Sequence, residues 1–246
     1  TDTYNTAVGN NAGEAITTGA NNTLIGGLSG DALTTGAGNV AVGTSSLSAS
    51  QTGNNGTAVG YGALAATTTS DNTGIGYLAG QAVTTGERNT LIGANAGDAL
   101  TDADYNIALG WSALGADTLG SRSTALGYNA LSSQNFTTAT DAYNVAVGMF
   151  AGEALTTGVQ NTLIGSQAGD ALTDADRNVA VGLEALSADT LGSNSVAIGP
   201  LALNNQNFTT ATNSYNTAVG ANAGTAVTTG IQNTLIGGLA GDALQA

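Results

Sequence analysis

An apolar triplet recurs along this chain, set between a polar residue and a glycine. The unit reads Asn, then Thr or Val, then Ala or Leu, then Val, Ile or Leu, then Gly, as in Asn161-Thr162-Leu163-Ile164-Gly165. It appears fourteen times, from the copy closing on Gly9 to the copy closing on Gly237. Ten of the thirteen gaps between closing glycines are 17 residues, one is 16 and two are 21. A fixed period of this size is the signature of a repeat architecture and outranks any local reading of secondary structure. The spacing predicts an all-β parallel solenoid of about fourteen 17-residue coils.

Thr, Val, Ile and Leu favour a pleated, half-buried surface, so each triplet is read as a short strand. Alternation places its second and fourth motif residues on one face, as with Thr6 and Val8 or Val196 and Ile198. The third residue points the other way and is Ala or Leu, with Gly74 the exception. A strand without charge on either side is normally covered on both. One face is expected to line the coil interior. Side chains this small bury little area against the entropy of ordering a coil. The Ala/Leu column is therefore expected to face outward and to be covered by further copies of the chain. Leu24, Leu91, Leu163 and Leu235 are the candidate interface residues.

Three residues past each glycine comes a small side chain, such as Ala12, Ser29 or Ala168. The next position alternates in pairs: Gly13 and Gly30, Leu47 and Leu64, Gly80 and Gly97. This rhythm exposes a 72-residue super-repeat of four coils at 77–148 and 149–220, with partial copies at 1–76 and 221–246. Residues 89–148 align with 161–220 without a gap, the mark of internal duplication. Residues 1–246 are read as one repeat domain. Each coil is expected to run strand, glycine corner, short second strand (as in Ala168 to Leu172) and polar return. Asn opens eleven of the fourteen motifs, with Gly56, Ser123 and Ser195 replacing it. Stacked coils turn that column into a hydrogen-bonded ladder at about 4.8 Å spacing. Fourteen such steps predict a rod on the order of 65 Å long.

Only 8% of the residues are charged and 4% aromatic, too few large side chains for a conventional globular core. The net charge is −14, with Arg88, Arg122 and Arg177 the only cations. Such a surface repels phosphate backbones, so neither nucleic acid nor anionic membrane is an expected partner. No run of 18 apolar residues is present to span a bilayer as a helix. The opening Thr-Asp-Thr, with neither initiator Met nor signal-like segment, suggests a fragment or processed product.

With no His and no Cys, a nucleophile–base pair would need Ser or Thr beside a carboxylate or Arg, and nothing is spaced for it. No catalytic residue, cofactor or metal ligand is assigned. The paired carboxylates Asp102/Asp104 and Asp174/Asp176 could suit Ca²⁺ as turn ligands, but they lack the nonapeptide of calcium-binding rolls. The two 21-residue coils insert four residues around Phe136 and Phe208. Loops that interrupt a solenoid often carry its binding function, so Phe136, Thr137, Phe208 and Thr209 are the candidate receptor contacts. The alternative is that each Phe folds back over the coil. Tyr4, Tyr105, Tyr143 and Tyr215 each precede a motif Asn and form a sparse candidate sugar-stacking row. Trp111 and Tyr128 follow motif glycines and are expected to pack over the corner. A Thr-rich solenoid also raises ice binding. The motif Thr column is interrupted by Val40, Ile107, Val145, Val179 and Val196, as in a half-buried column.

The motif Asn194-Ser195-Val196-Ala197-Ile198-Gly199 resembles the head repeats of trimeric autotransporter adhesins. The longer form, Thr157 to Leu172 and Thr229 to Leu244, resembles repeats in bacteriophage tail fibres, and the 17-residue period favours that likeness. The resemblance covers the whole chain. It implies a left-handed β-roll assembled as a homotrimer, a structural fibre segment for attachment to a host cell, and a place on the virion outside the cell. It implies a host glycan or protein receptor as a further partner, with weak contacts made strong by multivalency. A bacterial outer-surface adhesin head is the alternative it leaves, and an ice-binding solenoid is the alternative left by composition.

Overall fold

A computed structural model describes residues 3–244. Among them are eighteen short strands and no helix. In chain order these are β1 (Thr6–Val8), β2 (Thr23–Ile25), β3 (Val40–Val42), β4 (Thr57–Val59), β5 (Thr73–Ile75), β6 (Thr90–Ile92), β7 (Ile107–Leu109) and β8 (Gly120–Ser121). There follow β9 (Thr124–Leu126), β10 (Thr140–Asp141), β11 (Val145–Val147), β12 (Thr162–Ile164), β13 (Val179–Val181), β14 (Gly192–Ser193), β15 (Val196–Ile198), β16 (Thr212–Asn213), β17 (Thr217–Val219) and β18 (Thr234–Ile236). All fourteen motif triplets are strands, and the protein is an all-β parallel solenoid.

The chain divides into two compact units. The first runs to Ser121 and includes Thr137–Thr140; the second holds Arg122–Phe136 and the residues from Asp141 onward. In the first unit β1 to β7 pair in sequence order, all parallel, each motif position beside the same position of the next coil, as Ala7 beside Leu24. In the second, β9, β11, β12, β13, β15, β17 and β18 do the same. The inserted residues of a 21-residue coil leave the register untouched: Ala125 still pairs with Ala146, and Ala197 with Ala218. The second insertion also adds the short pairing of β14 with β16.

Tight corners close each coil. In the coil of Leu163, Gln160, Gln167 and Gly169 are left-handed (φ 61°, 57° and 56°), and Gly165 has φ 134°. Gly165 and its equivalents have no alternative to glycine. A Cβ on Gly26 would lie 2.5 Å from the carbonyl oxygen of Gly43 in the next coil. Left-handed backbone costs a β-carbon-bearing residue about 1–2 kcal/mol. The ladder offsets it: Gln167 N–H, for example, donates to Met149 C=O at 2.9 Å. These left-handed residues also correct one expectation. Residues 168–171 form a turn rather than a second strand running to Leu172, because Gln167 and Gly169 break the extended conformation that pleating requires.

The Asn ladder forms as expected. Asn22 Oδ1 accepts the backbone N–H of Asn39 at 2.9 Å, while Asn22 Nδ2 donates to Gly36 C=O at 2.9 Å. Asn39 repeats the arrangement toward Gly56 and Gly53. Where Asn is present the ladder satisfies buried backbone groups of the neighbouring coils, which is why a buried polar residue holds this position.

The core corrects the inside–outside assignment. Leu24, Leu91 and Leu163 are fully buried within the single chain, and Leu235 on the last motif strand is half-buried. The third motif residue therefore lines the interior and cannot form a subunit interface. The reason is volume. Leu occurs at this position only where the inward residue six further on is glycine, as Leu91 with Gly97 and Leu163 with Gly169. Leu91 Cδ1 fills the space beside Gly80 as well, 2.6 Å from where its Cβ would stand. Six of the nine coils with Ala at the third position carry the complementary Leu, as Ala41 with Leu47 and Ala180 with Leu186, all buried.

Candidate functional site, the outward strand face

With the third residue inside, the second and fourth face out. The fourth column is aliphatic in all fourteen coils. It stays open to solvent, with Leu109 at 45% exposure and Ile164 and Ile198 at 38%. Beside it runs the Thr/Val column, where Val40 and Ile107 are also exposed. From the second motif residue to the small residue after the corner, the only charged side chain in any coil is Glu184. A chain of net charge −14 thus keeps one face apolar along each unit. Large exposed apolar patches of this kind mark interaction surfaces.

Two edges border this face. The leading edge is the left-handed residue before each motif. It carries all three arginines and four of the seven tyrosines: Tyr4, Arg88, Tyr105, Arg122, Tyr143, Arg177 and Tyr215. Arg88 lies 5.4 Å from the ring centre of Tyr105 and donates to its hydroxyl at 2.7 Å. Arg122 sits 5.9 Å from the Tyr143 ring centre and pairs with Asp141 at 2.8 Å. The trailing edge follows the closing glycine and holds Tyr61, Tyr77, Trp111, Tyr128, Met149 and Leu183, all exposed. Tyr61 stacks on Tyr77 with ring centres 5.7 Å apart, and Tyr128 meets Phe150 edge-on at 5.4 Å. Trp111 and Tyr128 thus sit just past the corner, each still about half exposed.

The two phenylalanines are not surface contacts. Phe136 is 5% exposed and Phe208 6%, so each folds back onto its coil while Thr137 and Thr209 remain exposed. Burial of an aromatic ring outweighs display of it. Phe208 closes over a polar knot that residue counting does not reveal. Asp189 Oδ1 accepts from Phe208 N–H at 2.9 Å and Gly192 N–H at 3.1 Å, and Gln206 Nε2 donates to Asp189 Oδ2. Burial pushes the Asp189 carboxyl above its ordinary range, opposed by these donors. Gln206 also donates to Ser195 Oγ at 2.9 Å and accepts from Asn216 Nδ2 at 2.8 Å. In the first long coil Gln134 bridges Ser123 and Asn144 in the same way. The glutamine takes over the rung of the missing asparagine, so Ser replaces Asn in both long coils.

The paired carboxylates engage the preceding coil. Asp102 accepts from Thr85 Oγ1 and Asp104 from Glu87 N–H, both at 2.7 Å; Asp174 and Asp176 do the same with Thr157 and Val159. Among the described residues no three acidic side chains converge as metal ligands would. The geometry offers broad surface contact.

The chain matches no family model and no curated protein.

Proposed function

We propose that the chain is a structural fibre segment that assembles as a homotrimer through its outward strand face. The observation that carries this reading is the column of exposed or half-exposed Val, Ile and Leu that fills the fourth motif position of every coil. Solvent is a poor environment for that column, and burial is worth roughly 25 cal/mol per Å². Three parallel copies would cover it, make a stiff shaft and repeat any weak surface contact three times. The likeness of Thr157–Leu172 to tail-fibre repeats supports a left-handed roll in a bacteriophage fibre, presented outside the cell and attaching to a host glycan or protein. An adhesin head on a bacterial surface would use the same trimer. Native mass spectrometry tests the assembly: three chains of 23.8 kDa make about 71 kDa. A 23.8 kDa monomer at micromolar concentration would overturn it.

One observation favours a second reading. The second motif column faces out and is Thr in nine of fourteen coils, half-exposed beside the aliphatic column. A flat, rigid Thr-bearing face is what ice binding needs. A monomer with thermal hysteresis would establish that reading in place of the fibre.

A further inference from the structure

The polar knot under Phe208 holds more chemistry than a ladder rung needs. Asp189, Ser195, Gln206, Ser214 and Asn216 are each fully buried. The groups that bear on the Asp189 carboxyl are the Gln206 amide and the backbone N–H groups of Phe208, Gly192 and Thr190, with no cation among them. A carboxyl buried without a cation is costly. An ordinary rung does without one: Asn22 meets only the backbone and the amides of neighbouring Asn5 and Asn39. Buried acids of this kind gather where a site does chemistry.

The other four side chains stand where an acyl transfer would place them. Ser214 Oγ donates to Ser193 C=O at 3.1 Å, so its oxygen accepts the hydrogen of Ser195, with which it is in hydrogen-bond contact. That turns a lone pair of Ser195 Oγ toward Gln206, whose Nε2 lies 2.9 Å away. The carbonyl carbon Cδ is one bond of about 1.33 Å further, within about 4.2 Å of the hydroxyl. A near-attack pose needs about 3–3.5 Å, which a small rotation of the Gln206 amide supplies. Gln206 Oε1, where negative charge gathers in such a reaction, accepts from Asn216 Nδ2 at 2.8 Å. Asp189 Oδ2 meets Nε2, the atom that would leave.

We propose that Ser195 and Gln206 join spontaneously in the folded chain as an intramolecular ester. Ser195 Oγ bonds to Gln206 Cδ, and the carbonyl electron pair moves onto Oε1 beside Asn216. As that pair returns, the Cδ–Nε2 bond breaks and the nitrogen leaves as ammonia, carrying the hydroxyl hydrogen of Ser195. Asp189 gives this nitrogen a proton and takes one back, so none is gained or lost. Nothing is oxidised, and no co-reactant is needed. Burial favours the neutral carboxyl that this exchange uses. Burial also keeps water from the ester. The link ties the long coil across its interior, as a disulfide would, in a chain without cysteine. The first long coil repeats Ser123, Gln134 and Asn144 but has Ala142 where the second has Ser214. Ser214 is thus the positioning residue that the second long coil alone possesses.

The intact mass of the full chain tests the link. The folded parent is expected about 17 Da below the mass of its sequence, the loss of one ammonia. Proteolysis between residues 195 and 206 should leave the two in one cross-linked fragment, which hydroxylamine, a reagent that opens esters, separates. Ser195→Ala should keep its full mass. A folded parent that retains its full mass after prolonged incubation would overturn the proposal, and that measurement depends on no variant. A loss of ammonia that survives in Ser195→Ala would overturn it equally. Ser214→Ala restores the arrangement of Ala142 and is expected to slow the loss at least about tenfold while circular dichroism stays unchanged. An unaltered rate would sink the orienting role of Ser214.

Discussion

Leu163 Cδ1 stands 2.7 Å from the place where a side chain on Gly152 would begin, and Leu163 Cδ2 stands 2.8 Å from the corresponding point on Gly169. One leucine thus fills the space left by two glycines, that of its own coil and that of the coil before it. Leu163→Ala empties that space and is expected to cost about 2–5 kcal/mol, read from urea unfolding. Leu163→Ala/Gly169→Leu rebuilds the pattern of the next coil, Ala180 with Leu186, where Leu186 holds the same left-handed backbone at φ 56°. The double variant should regain part of the loss. If it is no better than Leu163→Ala, volume exchange between these positions is not what holds the core.

The two long coils make a separate prediction. Ser195 leaves room for Gln206, whose amide links Asp189, Ser195 and Asn216. Ser195→Asn inserts a second amide into that space, and Gln206→Ala strands the buried partners at about 1–3 kcal/mol each. Both single variants should lower the melting temperature. Ser195→Asn/Gln206→Ala should lie above either, because the new Asn can take the rung toward Asn216 that it takes in ordinary coils. Additive losses in a double-mutant cycle would remove this account.

Stability should rise, not fall, on mild acidification. Burial raises the carboxyls of Asp189, Asp98 and Asp170 above their ordinary range. A raised group holds its proton more tightly in the folded chain than in the unfolded one. Its contribution is fully present below the unfolded value, near 3.8, and is lost as pH climbs through the folded value. Melting temperatures between pH 7 and pH 4 should therefore increase. Asp170→Asn should flatten part of that slope, since its Oδ1 is buried without a hydrogen-bond partner. A melting temperature that drops steadily from pH 7 to pH 4 would contradict the assignment.

The period, the strand triplets and the Asn rungs were all legible in the sequence, because each rests on a backbone requirement repeated fourteen times. What alternation could not tell was which face of an uncharged strand lies inside. It groups Thr162 with Ile164 against Leu163 and stops there. The signal that decides it was present in another column: Leu24, Leu91, Leu163 and Leu235 each occur with a glycine six residues on, and Ala with Leu or, in the coils of Ala7, Ala146 and Ala218, with glycine beside a Leu-bearing neighbour. Volume complementarity between distant positions names the interior. The role of Gln134 and Gln206 was likewise hidden, although Ser123 and Ser195 mark the same two coils. A four-residue insertion sets no register of its own, so only the folded chain shows that it returns a glutamine to the ladder.

Leu163 and Ile164 are neighbours on one strand and should fail in different ways. Leu163 is fully buried in the single chain, whereas Ile164 is 38% exposed on the opposite face. Truncating Leu163 removes packing that every copy needs, so unfolding should shift even at concentrations too low for assembly. Ile164→Lys leaves the interior intact, and an exposed change of this kind usually alters a lone chain by about 0.5 kcal/mol or less. Within a covered face the same lysine buries an unpaired charge in each copy, which costs far more. Ile164→Lys and Ile198→Lys together should therefore lower the native mass toward 23.8 kDa while circular dichroism keeps its β signal. An unchanged mass would mean that the aliphatic column is not where copies meet. The Thr column beside it would then be the part of that face to test, against ice.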